Sequence, residues 1–251
     1  MRDVVQSDGL RLAAHLARPV GAPGAGRLPG LVLSHGFPAG PRGAATAAQT
    51  YPQLADRLAA ETGWIVLAFN FRGTGSSEGD FSLGGWIEDL RAAVDHLSKA
   101  DSVGGVWLAG ASTGGALSLC VAATDARVRG VATLGAPADF EHWAGDAKGL
   151  LDHARQVGAI QRASFPEDIG AWTRELRDTR PLALIGNIPP RPILIVHGEQ
   201  DEVVPPQDAR ALADAAHGGA ELRIISGAGH RLRHDPRAVA IILGWLERQT
   251  P

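Results

Sequence analysis

The chain has 251 residues with 24 Lys and Arg against 27 Asp and Glu, a formal net charge of -3 and 45% hydrophobic residues. That composition suits a globular protein with a substantial buried core, and it supplies no basic face for a phosphate backbone, which argues against nucleic acid as a partner. No apolar run of about 18 residues is present and the first residues, Met1 to Asp8, lack the apolar stretch of a signal peptide, so the expectation is a cytoplasmic protein without a membrane span.

Residues 4–5 and 10–17 read as a β-hairpin around Ser7-Asp8-Gly9, followed by a loop rich in Gly, Pro and Ala over 19–29. Short apolar runs then occur at 30–34, 64–70, 103–109, 128–134, 192–196 and 222–225. They lack a polar face, as strands of a parallel sheet covered on both sides do. Helical patterns separate them at 46–62, 86–99, 114–124, 207–217 and 235–249. In the second of these Trp86, Leu90, Ala93, Val94 and Leu97 recur at three and four positions among charged residues, the signature of an amphipathic helix lying on a sheet. Cys120, the single cysteine, falls on the apolar stretch 116–123 and reads as a packing residue.

Neither a repeat nor a linker divides the chain, so residues 1–251 are expected to form one α/β domain with a mostly parallel sheet. Residues 139–190 break the alternation, with helices expected at 141–157 and 169–176 and no strand. About fifty residues without a strand is long for an ordinary connection, and the segment reads as a helical, lid-like insertion before the seventh strand. Its Phe140, Trp143 and Trp172 are candidate substrate-binding residues together with Phe37.

The chemistry is most concentrated at Gly110-Ala-Ser-Thr-Gly-Gly115, between the strand 103–109 and the helix 114–124. A serine flanked by glycines at a strand-to-helix junction is held on a tight turn where larger residues would collide with neighbouring backbone. Ser112 is therefore the candidate nucleophile. A second match, Gly75 to Gly79, is followed by Asp80, Phe81, Ser82, Leu83 and two more glycines rather than by a helix, which sets Ser77 aside.

A serine hydroxyl needs a base within hydrogen-bond reach and a carboxylate to orient that base. His230 stands on a Gly-rich loop after the strand 222–225, at the sheet edge where open α/β sheets gather their functional loops. His15, His96, His153 and His217 fall on strands or helices, and His234, at the expected start of the last helix, is the nearest rival. Asp201 follows the strand 192–196, with Glu199 and Glu202 in the same loop and Asp139 after the preceding strand as competitors. Two backbone N–H donors are needed for a developing oxyanion, and those of Thr113 and Phe37 are the candidates. His35, before Gly36, reads as a loop brace. Residues 71–79 lack the Gly-Lys-Ser/Thr of a phosphate loop, and no histidine pair with a carboxylate has metal-ligand spacing on a helix, so neither cofactor nor metal is expected.

Taken in order, Ser34-His-Gly-Phe37, Asn70-Phe-Arg-Gly-Thr-Gly-Ser-Ser77, Gly110 to Gly115, His197-Gly-Glu-Gln-Asp201 and Gly227-Ala-Gly-His230 resemble the α/β-hydrolase superfamily over nearly the whole chain. The chain looks closest to small bacterial hydrolases of the serine aminopeptidase-like and dienelactone hydrolase-like type, with serine where dienelactone hydrolases proper carry cysteine. The resemblance implies an eight-stranded sheet whose second strand is antiparallel, helices on both faces, Ser112, Asp201 and His230 as a triad, and the Phe37 and Thr113 amides as oxyanion hole. The implied activity is hydrolysis of a carboxylic ester through an acyl-enzyme. An aminopeptidase or amidase, with Glu141 or Asp146 holding the amino terminus, and a ligand-binding protein on a hydrolase scaffold are the alternatives. A small-molecule ester or amide is the expected partner, and the oligomeric state is left open.

Overall fold

Alternation along five central strands sets the architecture of this protein, whose computed structural model describes residues 1–19, 21 and 26–249. A hairpin of β1 (Arg2–Ser7) and β2 (Leu10–Ala17) leads to β3 (Leu28–Ser34), α1 (Tyr51–Thr62), β4 (Ile65–Phe69) and α2 (Leu83–Ser98). Then come β5 (Val103–Ala111), α3 (Thr113–Thr124) and β6 (Val128–Leu134). Four helices follow without a strand: α4 (Glu141–Gly145), α5 (Ala147–Val157), α6 (Ile169–Asp178) and α7 (Pro181–Leu184). The chain ends with β7 (Ile193–Gly198), α8 (Pro206–Ala215), β8 (Ala220–Ile225) and α9 (Pro236–Glu247).

The strands form one eight-stranded sheet in the order β1-β2-β4-β3-β5-β6-β7-β8. β2 pairs antiparallel with β1 and β4, and every later pairing is parallel. Side chains of period two divide between two cores. Ile65, Leu67 and Phe69 of β4 and Ile193 and Ile195 of β7 face the α2, α3 and α8 side. Trp64, Val66 and Ala68, with Leu194 and Val196, face the α1 and α9 side. Both faces are covered, which is why these runs carry no polar stripe; each buried Leu, Ile or Val contributes roughly 1.5–3 kcal/mol.

The order reverses at β3, whose successors lie on opposite sides of it: β4 on one flank, β5 on the other. Loops leaving the carboxyl ends of β3 and β5 therefore part at a crevice, the place where sheets of this class bind ligands.

Several element boundaries differ from the sequence expectation for local reasons. The helix read over 46–62 begins at Tyr51, with Pro52 in its first turn and a short 3-10 turn at Gly43–Thr46. α2 begins at Leu83 rather than 86, because Ser82 caps it by accepting the Gly85 amide at 3.0 Å. The helix read over 141–157 is two helices, broken at Asp146, whose carboxylate accepts the Gly149 amide and starts α5. His234 lies in a 3-10 turn, Leu232–His234, ahead of α9, which Asp235 caps. Of the loop read over 19–29, residues 20 and 22–25 lie outside the described residues. Among the described residues no helix is long and apolar enough to cross a membrane.

Candidate active site

β5 delivers Ser112 to the crevice with φ 52° and ψ -125°, a left-handed conformation that a non-glycine residue adopts only when its surroundings compel it. Close packing supplies that compulsion. A Cβ on Gly110 would lie 2.5 Å from the carbonyl of Gly114, and one on Gly114 would run into the carbonyl oxygen of His35. The Ser112 amide is held by the Leu134 carbonyl at 2.8 Å. The turn thus sits wedged between β3 and β6 and opens directly into α3, whose first amide, that of Thr113, has no intrahelical acceptor.

The loops after β7 and β8 bring Asp201 and His230 together, with Asp201 Oδ2 2.8 Å from His230 Nδ1. In that arrangement Nδ1 donates to the carboxylate and Nε2 is left as the acceptor. Asp201 is itself fastened: the Val203 and Val204 amides both donate to Oδ1 at 2.9 Å. Burial opposes its ionisation most strongly, but the hydrogen bonds from His197, His230 and these two amides outweigh burial and hold the carboxyl below the usual carboxylate range. Two of the competing acids are spent elsewhere. Asp139 accepts the Glu141 amide, and Glu199 accepts the Ser226 hydroxyl and the Gly227 amide.

His197 is a contributor that sequence reasoning did not single out. It is fully buried on β7, its Nε2 lying 2.9 Å from the Val204 carbonyl and 3.3 Å from Asp201 Oδ2. It braces the Asp201 loop from beneath. The signal was its spacing of four before Asp201, masked by its place in an apolar strand.

Ser112 and His230 line one cavity of about 310 Å³. Phe37 lines it as well, at the start of the loop after β3, and that loop is braced by His35. His35 is buried, accepts the Phe71 amide at Nε2 (3.3 Å) and donates from Nδ1 to the Gly36 carbonyl (2.8 Å). Burial chiefly lowers its pKa to about 4, which keeps it a neutral brace. The Asn70 to Ser77 turn is structural too. Thr74 lies 3.1 Å from His35 Nε2, Ser77 donates to the Asn70 carbonyl, and Arg72 pairs with the buried Asp89 at 2.7 Å. Cys120 is buried on α3, and burial pushes its thiol up to about 12.

The aromatic residues expected at the substrate pocket divide. Trp143 is half-buried and packs on Phe37 with ring centres 5.3 Å apart. Phe140 and Trp172 are core residues, 1% and 2% exposed, and Trp172 Nε1 donates to the Phe81 carbonyl. None of these three lines the cavity. Its wall is made instead by Tyr51 of α1, Arg231, Leu232 and Arg233, which sequence reasoning passed over, and by His234, which it weighed only as a rival base. A larger groove, about 910 Å³, runs along β1, β2 and residues 45–52 and touches neither Ser112 nor His230.

A family described as the alpha/beta hydrolase family matches residues 31–241. Among solved structures, Est1E from Butyrivibrio proteoclasticus with ferulic acid bound is similar at a TM-score of 0.74 and 23% identity, covering 98% of this chain and 97% of that one. The Pyrococcus furiosus esterase Pf2001 is similar at a TM-score of 0.71 and 18% identity, covering 99% and 91%. The esterase domain of a Rhodothermus marinus protein is similar at 0.70 and 24%, covering 99% and 96%. At these identities the likeness to the structures concerns the fold. No curated protein matches the chain.

Proposed function

Because this chain belongs to the alpha/beta hydrolase family, and is thereby a hydrolase of a small-molecule substrate, we propose that it cleaves carboxylic esters through an acyl-enzyme on Ser112. The observation that carries the reading is the Asp201–His230 pair opening onto the same cavity as a serine in a strained turn. Ser112 Oγ attacks the ester carbonyl carbon while His230 Nε2 takes the hydroxyl proton. The Phe37 and Thr113 amides receive the oxyanion. His230 returns the proton to the alcohol oxygen as the carbon–oxygen bond breaks, and Asp201 stabilises the transient imidazolium. Water, deprotonated by His230, then attacks the acyl group, and the acid leaves with Ser112 regenerated.

Among the described residues no carboxylate lines the cavity, which disfavours the aminopeptidase reading. Glu141 stands 3.8 Å from Arg180, and Asp146 caps α5. In this proposal residues 1–251 act as one domain, with the helices of 139–190 covering the Phe37 side of the site.

Release of 4-nitrophenol from esters of graded acyl length tests the reading. Ser112→Ala should lower kcat at least about 10³-fold with an unchanged circular dichroism spectrum. Wild-type turnover by the folded Ala variant would refute the assignment.

A further inference from the structure

Arg233 stands three residues after His230, in the Leu232–His234 turn. Its guanidinium carbon lies 5.7 Å from the centre of the Tyr51 ring, and its buried Nε finds no acceptor among the described residues. Other partly buried arginines are satisfied: Arg72 by Asp89, and Arg191 by the carbonyls of Asp125 and Val128. A guanidinium stays charged at any physiological pH, so an N–H removed from water without an acceptor is costly unless something else receives it. Stacking on Tyr51 holds the group in place and leaves the buried Nε unmatched.

The surroundings concentrate this charge. Arg231, Arg233, His230 and His234 line the cavity together with Ser112, and among the described residues no Asp or Glu does, although the chain as a whole carries a net charge of -3. Asp235, two residues after Arg233, is engaged by Arg237, and Asp201, the partner of His230, by His230 and His197. Arg231 and His234 are exposed at the rim, whereas Arg233 is half-buried in the wall. The planar fork of Arg233 in the wall matches a carboxylate bidentately.

We propose that Arg233 is a specificity-determining residue, and that the ester cleaved at Ser112 carries a free carboxylate that docks on it, making the substrate a half-ester of a dicarboxylic acid. This rests on the serine-hydrolase reading for the cleavage step, while the anion site itself stands apart from it.

The test measures binding and turnover separately. In the Ser112→Ala protein, calorimetric titration with monomethyl glutarate and dimethyl glutarate should show the half-ester binding about tenfold or more tightly. Adding Arg233→Gln should bring that ratio close to one, and Arg233→Lys, which keeps charge but loses the fork, should reduce it several-fold. Equal binding of the two esters, no measurable binding of the half-ester, or a ratio indifferent to Arg233→Gln would overturn the proposal. Should the Gln variant fail to fold, an unaltered ratio in the Lys variant overturns it equally. In wild type, the kcat/KM ratio of mono-4-nitrophenyl glutarate to 4-nitrophenyl butyrate should exceed one and collapse in Arg233→Gln. Turnover of both esters without preference defeats the anion site and leaves the hydrolase reading intact; anion-dependent binding with no turnover of either defeats the hydrolase reading and leaves the anion site standing.

Discussion

Two residues of the site tie stability to pH in separate windows. His35 is buried and neutral in the fold, with its pKa lowered from 6.5 to about 4. Between those values the unfolded chain binds one more proton than the folded one, so stability is complete above about pH 6.5 and falls on acidification. Across the window the loss amounts to about 3 kcal/mol. Equilibrium unfolding of wild type and His35→Gln between about pH 7 and pH 4.5 should show a flatter dependence for the variant; parallel curves would show that His35 is not the group responsible. Asp201 acts lower. Its folded pKa is depressed below 3.8, so its contribution is present above that pH and is lost as the pH falls further. Asp201→Asn should lower kcat by about 10³ to 10⁴-fold with little change in KM, because the amide favours the wrong His230 tautomer. Steady-state kinetics on one ester checks this, and a loss below about tenfold would mean that another acid orients His230. Ser112 was readable in the sequence because its glycines report a steric need, whereas His197 was not, since a histidine in an apolar strand carries no mark of which loop it braces.

At the level of elements, capping explains where expectation and structure part. Hydrophobic periodicity locates α2 from Trp86, but the Ser82 cap carries it back to Leu83 through Gly84 and Gly85, residues of poor helix propensity. Ser82→Ala should therefore cost about 1 kcal/mol in chemical denaturation while ester turnover stays within about twofold, since Ser82 does not line the cavity. No change in the unfolding midpoint would show that tertiary contacts alone start α2. The break between α4 and α5 follows the same logic. Asp146 binds the Gly149 amide more favourably than it continues a helix, and periodicity by itself does not register that competition.

For the whole molecule, the Arg72–Asp89 pair joins the loop after β4 to α2 and, through the Asp8 carboxylate at 2.9 Å, to the β1–β2 turn. Asp89 is fully buried, so Asp89→Ala would leave the largely buried Arg72 guanidinium with only the exposed Asp8 carboxylate as counter-charge. The expected loss is about 3–5 kcal/mol, read from the urea midpoint. A loss under about 1 kcal/mol would show that water reaches Arg72 and relieves it.

The sequence by itself determined the alternation of strands and helices, the strand-free stretch between β6 and β7, and the turn at Ser112. Each of these is imposed by local sterics or by the period of apolar residues, which nearby positions alone specify. Only the tertiary structure decided what lies around that turn. It removed Phe140 and Trp172 into the core and put Arg233 and Tyr51 into the cavity wall. It also joined Asp201 to His230 and spent Asp139 and Glu199 on backbone. Those outcomes depend on which loops converge at the β3 switch point and on which polar groups find partners there, and both are set by packing between residues far apart in the chain.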